Sequence, residues 1–569
     1  MAALKIENLI TDHLDLWTAA VRPKSSAGRG SNSKLELTGI KKLRELILEL
    51  AVRGKLVPQD PSDEPASVLL ERIAAEKAQL IREGKIKSEK QYPVISDTEL
   101  PHSKPDGWVF ERFGNVLINR DFERIPLAVS EREKRKGGYD YYGASGVIDK
   151  IDGYLFDKPL LLIGEDGANL INRSSPIAFI ARGKYWVNNH AHVLDGLNED
   201  LLKYVCLHIN AMSLLPYITG TAQPKMNQAK MNAIVLGIPP LAEQKRIVAK
   251  VDELMALCDK LEQRSDSQLA AHQTLVETLL ATLTDCVDAD ELAQNWARLS
   301  THFDTLFTTE RSIDALKQTI LQLAVMGKLV PQDPSDEPAS ALLERIAAEK
   351  AQMVKEKKIK KEKPLPAISE DEKPFELPQG WEWARLGNIG ICSTGKTPST
   401  GNSAFYDGEI PFIGPGQITP SGKLLAAEKY LSDVGLELSS EANAGDILMV
   451  CIGGSIGKST ICDRQIGFNQ QINSIRPILC DSYFLLAAMT TKAFTNLLLE
   501  RATGSATPII NRSKWEEIPI PMSPYQEQLR IISRVHELMA LCDQLKSRLQ
   551  TSQQTQLALA ESLVEGALA

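Results

Sequence analysis

No run of apolar residues in this chain approaches the roughly 20 that a bilayer-crossing helix requires; the longer ones, such as Leu160 to Gly164, are a fraction of that. The N-terminus lacks a basic region followed by an apolar stretch, the mark of an export signal. Both absences point to a soluble, cytoplasmic protein with no membrane partner. Cysteine is sparse: eight residues, Cys206, Cys258, Cys286, Cys392, Cys451, Cys462, Cys480 and Cys542, with no Cys-x-x-Cys pair and no neighbouring His cluster. That spacing argues against a structural zinc site and a disulfide framework. An excess of basic charge is also missing, since 65 Lys and Arg face 73 Asp and Glu for a net charge of -8. Tight binding to nucleic acid by charge alone needs a basic surface that displaces counterions from phosphate, so such a function would need local basic patches or help from partners. What is present is 569 residues, 43% of them hydrophobic, a globular chain too long for one core and suited to about three to five units.

The chain repeats itself. Gly54 to Gln79 recurs at Gly327 to Gln352 with one change, Val68 to Ala341, and the same offset of 273 residues aligns Ile47–Val52 with Ile320–Val325, the basic run Lys85–Lys90 with Lys358–Lys363, and Pro105-Asp-Gly-Trp108 with Pro378-Gln-Gly-Trp381. A second block matches at an offset of 284: Glu243, Gln244 and Arg246 with Glu527, Gln528 and Arg530, and Glu253–Asp259 with Glu537–Asp543. Between the blocks, about 105–240 and 378–524, the halves are similar in length and largely different in sequence. Two near-identical frames carrying two unlike inserts suit one task performed on two different targets; the alternative is a duplication whose inserts drifted without consequence.

After Pro240 and Pro524, the stretches Ala242 to Asp288 and Tyr525 to Ala569 hold no proline and almost no glycine, and read as long helices. Ile247, Val251, Leu254, Cys258 and Leu261 in the first, and Ile531, Val535, Leu538, Cys542 and Leu545 in the second, follow a 4-3-4-3 spacing. That is a heptad seam. Such a stripe also arises in ordinary core packing, but its occurrence twice makes the two helices each other's obvious partner, antiparallel if the halves are related by a pseudo-twofold axis. At about 1.5 Å per residue each would be on the order of 65 Å long, the length of a spacer. Ala66 to Gly84 and Ala339 to Lys357 read as charged helices, and Gln91 to Pro105 and Pro364 to Pro378 as proline-bearing linkers. The unlike inserts alternate short apolar runs (Pro159–Ile163, Ile177–Ile180, Ile410–Ile413, Asp446–Ile452) with Gly, Asn, Pro and Ser clusters, the pattern of mixed, mostly β domains. The fold expected is α+β: an N-terminal helical repeat and linker (1–104), an insert domain (105–240), a spacer helix (241–290), a central helical repeat and linker (291–377), a second insert domain (378–524) and a second spacer helix (525–569).

Enzyme motifs are missing. The Pro-Pro pair at Pro239-Pro240 is preceded by Ile and followed by Leu, unlike the Asn/Asp-Pro-Pro-aromatic motif that holds a flipped adenine. Gly453-Gly-Ser-Ile-Gly-Lys-Ser459 resembles a phosphate loop only superficially, because the position five before Gly457 is Ile452 and not glycine; a strand–turn with Lys458 near a phosphate is the better reading. His190 and His192 share one strand face but have no third ligand nearby, which favours DNA contact or structural hydrogen bonding over metal. No catalytic residue, metal or cofactor is expected in this chain.

Taken together, the duplicated frame, the Pro240-Leu-Ala-Glu-Gln-Lys-Arg-Ile247 entry into the long helix, Gly107-Trp108 and Gly380-Trp381 at the insert starts, and the segments Tyr141-Tyr-Gly-Ala-Ser-Gly146, Gly164-Glu-Asp-Gly167, Asn188-Asn-His-Ala-His192, Thr394-Gly-Lys-Thr-Pro-Ser399 and Phe468-Asn-Gln-Gln471 resemble the specificity subunits of Type I restriction-modification systems over nearly the whole chain. The resemblance implies that the inserts are target-recognition domains, each reading one half of a bipartite site on double-stranded DNA, with the paired helices as a ruler between them. It implies two methyltransferase subunits as partners, carrying S-adenosylmethionine and methylating adenine at N6, and restriction subunits using ATP and Mg. The chain itself would be non-catalytic. Base edges in the major groove are read by Arg or Lys on guanine and Asn or Gln on adenine, with Ser and Thr adaptable. The candidates in loops are Tyr141, Tyr142, Ser145, Lys184, Asn189, His190, Lys225, Asn227 and Lys230 in the first insert. In the second they are Lys396, Thr397, Ser399, Ser455, Lys458, Asn469, Gln470, Arg512 and Lys514. Asn189-His190 and Asn469-Gln470 follow similar apolar leads and suggest a shared loop. A coiled-coil scaffold, or a stand-alone DNA-modifying enzyme, is the alternative.

Overall fold

The computed structural model of the protein describes residues 6–23, 35–87, 92–220, 223–504 and 507–568; the end of the basic run Lys85–Lys90 and the first residue of the linker at Gln91 lie outside them. The described residues divide into two compact bodies, one taking in the chain up to Ser267 and again from Gln553, the other Gln268–Ser552. Four helices organise them: α1 Thr38–Val52, α2 Leu241–Thr284, α3 Glu310–Val325 and α4 Tyr525–Leu568. The two long ones hold 44 residues each, about 66 Å at 1.5 Å per residue. Each begins directly after a proline, Pro240 or Pro524.

In the first body, α1 buries Ile40, Leu43, Ile47 and Leu50, a 3-4-3 spacing that makes one helical stripe. Its polar edge reaches both long helices. Arg44 bridges Asp259 at 2.6 Å and Glu262 at 2.9 Å on α2, while Lys42 meets Glu561 at 3.3 Å and the Lys55 ammonium donates to the Leu568 carbonyl at 2.9 Å on α4. The second body repeats the pattern: Lys317 pairs with Asp543, Lys546 with Asp314 at 3.0 Å. Lys317 and Asp543 are the repeat partners of Arg44 and Asp259. Here Ile313, Leu316, Ile320 and Leu323 of α3 share one core with Ile531, Val535 and Cys542 of α4 and with Val276, Leu280 and Leu283 of α2.

The heptad positions Ile247, Val251, Leu254 and Leu261 are buried, as are Ile531 and Val535, with Leu538 and Leu545 half-buried. Shorter helices join the long ones along these stripes: α3 shares the core of the α4 seam and α1 ion-pairs along α2. Each fully buried Leu or Ile contributes roughly 1.5–3 kcal/mol, and exposed ion pairs only ~0–1 kcal/mol, so the apolar stripes hold these helices and the duplicated pairs select their register.

The near-identical sequence blocks make near-identical joints. Gly54 (φ +68°) ends the turn after α1, and a Cβ there would lie 2.8 Å from Pro105 Cγ; Gly327 (φ +67°) stands the same way 2.5 Å from Pro378 Cγ. Only glycine takes that backbone and that approach cheaply. It lets Trp108 and Trp381 pack beneath, both buried. Asp63 and Arg246 pair at 2.6 Å, Asp336 and Arg530 at 2.5 Å. Buried Arg112 grips Glu99 at 2.8 Å, and buried Arg385 grips Glu372 at 2.8 Å, each Glu also closing a capping box on Ser96 or Ser369. The charged helices follow, at Ala66–Arg82 and Ala339–Lys355.

The two inserts fold as sheet-rich domains. The first has β1 Val109–Arg112, β2 Ile118–Asn119, β3 Lys136–Gly143, β4 Gly146–Ile151, β5 Leu160–Gly164, β6 Ala178–Ala181, β7 Tyr185–Val187, β8 Ala191–Asp195 and β9 Val235–Ile238. The second has β10 Glu382–Arg385, β11 Gly390–Thr394, β12 Ile410–Ile413, β13 Lys429–Leu431, β14 Ser440–Ala442, β15 Ile447–Val450, β16 Ser459–Ile461, β17 Ile466–Phe468, β18 Ile472–Pro477 and β19 Pro519–Met522. The central antiparallel sheets run β2-β8-β5-β6 and β11-β18-β15-β16, the same order in both. The second sheets, β4-β3-β7 and β13-β12-β17-β14, each contain one parallel pairing, β3 with β7 and β12 with β17. Entry and exit strands pair as β1-β9 and β10-β19. Dissimilar sequences thus reach the same central sheet order, whose middle strands β5, β8, β15 and β18 are buried over most of their length, while β14 gives the second domain's other sheet one strand more.

Candidate nucleic-acid interface

The sequence-predicted readers fall into three groups. Some belong to the core or to the scaffold. Tyr141 is fully buried; its hydroxyl accepts from the Leu127 amide at 3.0 Å and the Arg132 guanidinium lies 5.0 Å over its ring, so it cannot touch a base. The reason is alternation: on β3 its side chain points inward, a face that Gly and Ser neighbours disguise as loop. Tyr142 stacks on Phe179 at 5.7 Å, and burial raises its hydroxyl pKa. Asn227 caps a short helix, its Oδ1 accepting from the Lys230 amide at 2.9 Å. Arg512 donates to the Cys392 carbonyl at 3.2 Å and pairs with Glu516 at 3.1 Å, while Lys514 donates to the Arg501 carbonyl at 3.3 Å.

Others are exposed but already paired. Lys184 sits 4.7 Å over the Tyr154 ring, His190 Nδ1 lies 2.8 Å from Asp166, and Lys225 lies 3.2 Å from Glu165. The last group is exposed: Ser145 in the turn between β3 and β4, Asn189 after β7, Lys230 on the short helix Gln228–Asn232, and in the second domain Lys396, Thr397 and Ser399 after β11 and Gln470 after β17. Ser455 and Lys458 are half-exposed in the turn joining β15 and β16. That segment is strand–turn–strand, whereas a phosphate loop opens a helix.

The shared loop exists, but one residue out of the expected register. Buried Asn188 accepts from the His190 amide at 2.8 Å, and Asn469 accepts from the Gln471 amide at 3.0 Å. Asn188 therefore corresponds to Asn469 as the turn builder, and Asn189 to Gln470 as the residue displayed. In the second domain Thr397 Oγ1 donates to Gln470 Oε1, which turns the amide NH2 away from that hydroxyl. Gly395 makes this approach possible, since a Cβ there would lie 1.9 Å from the Asn469 carbonyl oxygen.

Sequence reasoning missed the group that fixes the first domain's loops. Asp121, in the turn after β2, accepts from the Val193 amide at 2.7 Å and from His192 Nδ1 at 2.6 Å; His192 Nε2 lies 3.0 Å from the Met226 carbonyl. Burial alone would raise the Asp121 pKa, but the His192 hydrogen bond and charge, with Arg124, hold it below the usual carboxylate range. Arg124 donates to the Ala191 carbonyl at 2.7 Å and pairs with Glu165 at 3.1 Å. Loops around residues 121, 165, 190 and 225 are thus tied into one cluster. Asp121 and His192 are 71 residues apart, and no spacing rule links them. His190 and His192 take different carboxylates, and among the described residues no group of three or more His, Cys, Asp or Glu could hold a metal. Nor is any described helix long and apolar enough to cross a membrane.

Comparison with known proteins fits this division. The family described as "Type I restriction modification DNA specificity domain" matches residues 105–271 and 378–552, the two inserts with the helices that leave them. The chain is 42% identical to the Type I restriction enzyme EcoAI specificity subunit of Escherichia coli, over 99% of this chain and 100% of the relative. It is also 42% identical to the EcoEI specificity subunit of the same organism, with the same coverage of both chains. Among solved structures, the HsdS subunit from Thermoanaerobacter tengcongensis aligns with a TM-score of 0.40 at 15% identity, covering 83% of this chain and 99% of that one.

Proposed function

The chain belongs to the family of Type I restriction-modification DNA specificity subunits, and from that premise we propose how it works: each sheet-rich insert reads one half of a bipartite duplex site. The observation that carries this is the pair of domains with one central-sheet order on a duplicated frame, displaying different residues at equivalent turns, Asn189 in one and Gln470 in the other. Equal scaffolds with unequal displays give two readings by one geometry. Asn and Gln amides suit adenine, and Lys396 and Lys230 suit guanine or phosphate.

The boundaries of the readers follow the inserts, 105–240 and 378–524, and the helices within 241–290 and 525–569 act as an antiparallel spacer, the halves being related by a pseudo-twofold axis. With a net charge of -8, phosphate contact comes mainly from partners. Those partners are two methyltransferase subunits carrying S-adenosylmethionine, which methylate adenine at N6, joined by restriction subunits that use ATP and Mg. This chain supplies the address and works in the cytoplasm. The test is the mass of the complex co-purified from native cells together with maps of genomic adenine methylation with and without the gene. Two methyltransferase subunits per chain and loss of methylation at one interrupted, asymmetric motif are expected; a lone chain and unchanged methylation would refute the proposal.

A further inference from the structure

The turn Arg120–Arg124 is inside out. Its four charged residues all point into pairings: Arg120 with Glu123 and with Asp195 at 3.0 Å, Asp121 with His192, and Arg124 with Glu165. The one apolar residue among them, Phe122, is 57% exposed. Water should reverse that arrangement, because an aromatic ring gains by burial and charges gain by solvation. The turn cannot relax, since the Arg120 amide donates to the Val193 carbonyl at 2.8 Å and Asp121 accepts from the Val193 amide, locking it to β8 from both sides. The next apolar residue, Ile125, has its carbonyl fixed by Trp186 Nε1 at 2.6 Å. The backbone that carries Phe122 is therefore held in place, in the same loop cluster as His190.

We propose that Phe122 is a specificity-determining residue that reads the C5-methyl group of a thymine in the half-site taken by the first domain. The inference rests on the DNA-reading function above and names what this turn adds to it. With its charges taken up by one another and by Asp195, His192 and Glu165, the turn has little to offer a phosphate; what it presents is the apolar Phe122 ring. In the major groove the apolar group on a base edge is the thymine methyl, and a phenyl ring is one of the side chains that contacts it. A backbone held in advance lowers the entropy cost of ordering the turn on binding.

The experiment uses the complex purified from cells with its partner subunits, once its methylated motif has been mapped. Binding is measured by fluorescence anisotropy, at one fixed salt concentration, on duplexes in which each thymine of the first half-site is replaced in turn by deoxyuridine, which lacks only the methyl. The unaltered protein should lose about fourfold at one thymine, the effect of withdrawing a single methyl from an apolar contact. Phe122→Ala should bind the thymine duplex more weakly and no longer distinguish it from the deoxyuridine duplex, while Phe122→Leu keeps part of the distinction. Undiminished sensitivity to substitutions at the other base pairs of the first half-site shows that the first domain of the variants is folded. A first half-site with no thymine, an equal deoxyuridine effect in the wild type and Phe122→Ala, or weaker binding by Phe122→Ala with no methyl effect in the wild type, as a wedge between base steps would give, overturns the inference alone. Absence of specific binding to any duplex would remove the DNA-reading function and this inference with it.

Discussion

Replacing Asp121 tests whether the first domain's loops are held by one buried ion. The side chain is about one-tenth exposed and accepts from the Val193 amide, Asn119 Nδ2 and His192 Nδ1, at 2.7, 3.1 and 2.6 Å. Asp121→Ala leaves the buried His192 and the Val193 amide without that acceptor. Removing one partner of a buried charged pair costs about 3–5 kcal/mol; a value near 3 kcal/mol would lower the melting temperature of a domain of about 200 residues by roughly 6–12 °C. Thermal unfolding of the purified chain measures the loss, and hydrogen exchange locates it: amides near residues 118–124 and 190–195 should lose protection while those of 378–524 keep theirs. The carboxylate also predicts a pH dependence. Because its folded pKa lies below the ordinary value, its contribution is present above about pH 4 and is lost as pH falls through the lower folded pKa. Asp121→Asn should flatten that acid limb. A melting shift within about 1 °C for Asp121→Ala, or an unchanged acid limb for Asp121→Asn, would refute the reasoning.

Three further predictions concern the frame. Arg385 is 3% exposed and donates to the Pro366, Ala367 and Glu517 carbonyls besides Glu372; Arg385→Leu should cost about 3–5 kcal/mol, seen in denaturant unfolding as loss of the second body with the first intact. Gly54→Ala should cost about 1–3 kcal/mol because it adds a close approach to Pro105 to a positive φ, whereas Gly84→Ala, with φ +70° but open space, should cost only about 1 kcal/mol; equal melting shifts would contradict the packing argument. Inserting seven residues into each long helix adds about 10 Å, or about three base pairs at 3.4 Å each, so methylation mapping should return both half-sites unchanged across a longer gap.

The duplication, the long helices and the strand-rich inserts were legible because each leaves a periodic trace: an exact offset, a heptad, an alternation. The helical ends came within a few residues of those expected. What a period does not name is a partner. The stripes of α2 and α4 announced burial, yet nothing in them pointed to α1 and α3, whose own stripes are short. Single side chains were harder still. Tyr141 and Tyr142 sit beside Gly143 and Ser145 and read as loop, but a strand turns one of them wholly inward. In the Asn188–His190 turn one residue builds and the next displays, and composition cannot say which. The Asp121–His192 pair depends on a β2–β8 pairing that exists only in the folded sheet.

The central claim, that two unlike readers share one frame, is tested most directly by exchanging residues 105–240 for the equivalent segment of another specificity subunit and mapping genomic adenine methylation. The account predicts a new first half-site beside an unchanged second half-site and unchanged spacing; simultaneous change or loss of both halves in a folded complex would contradict it.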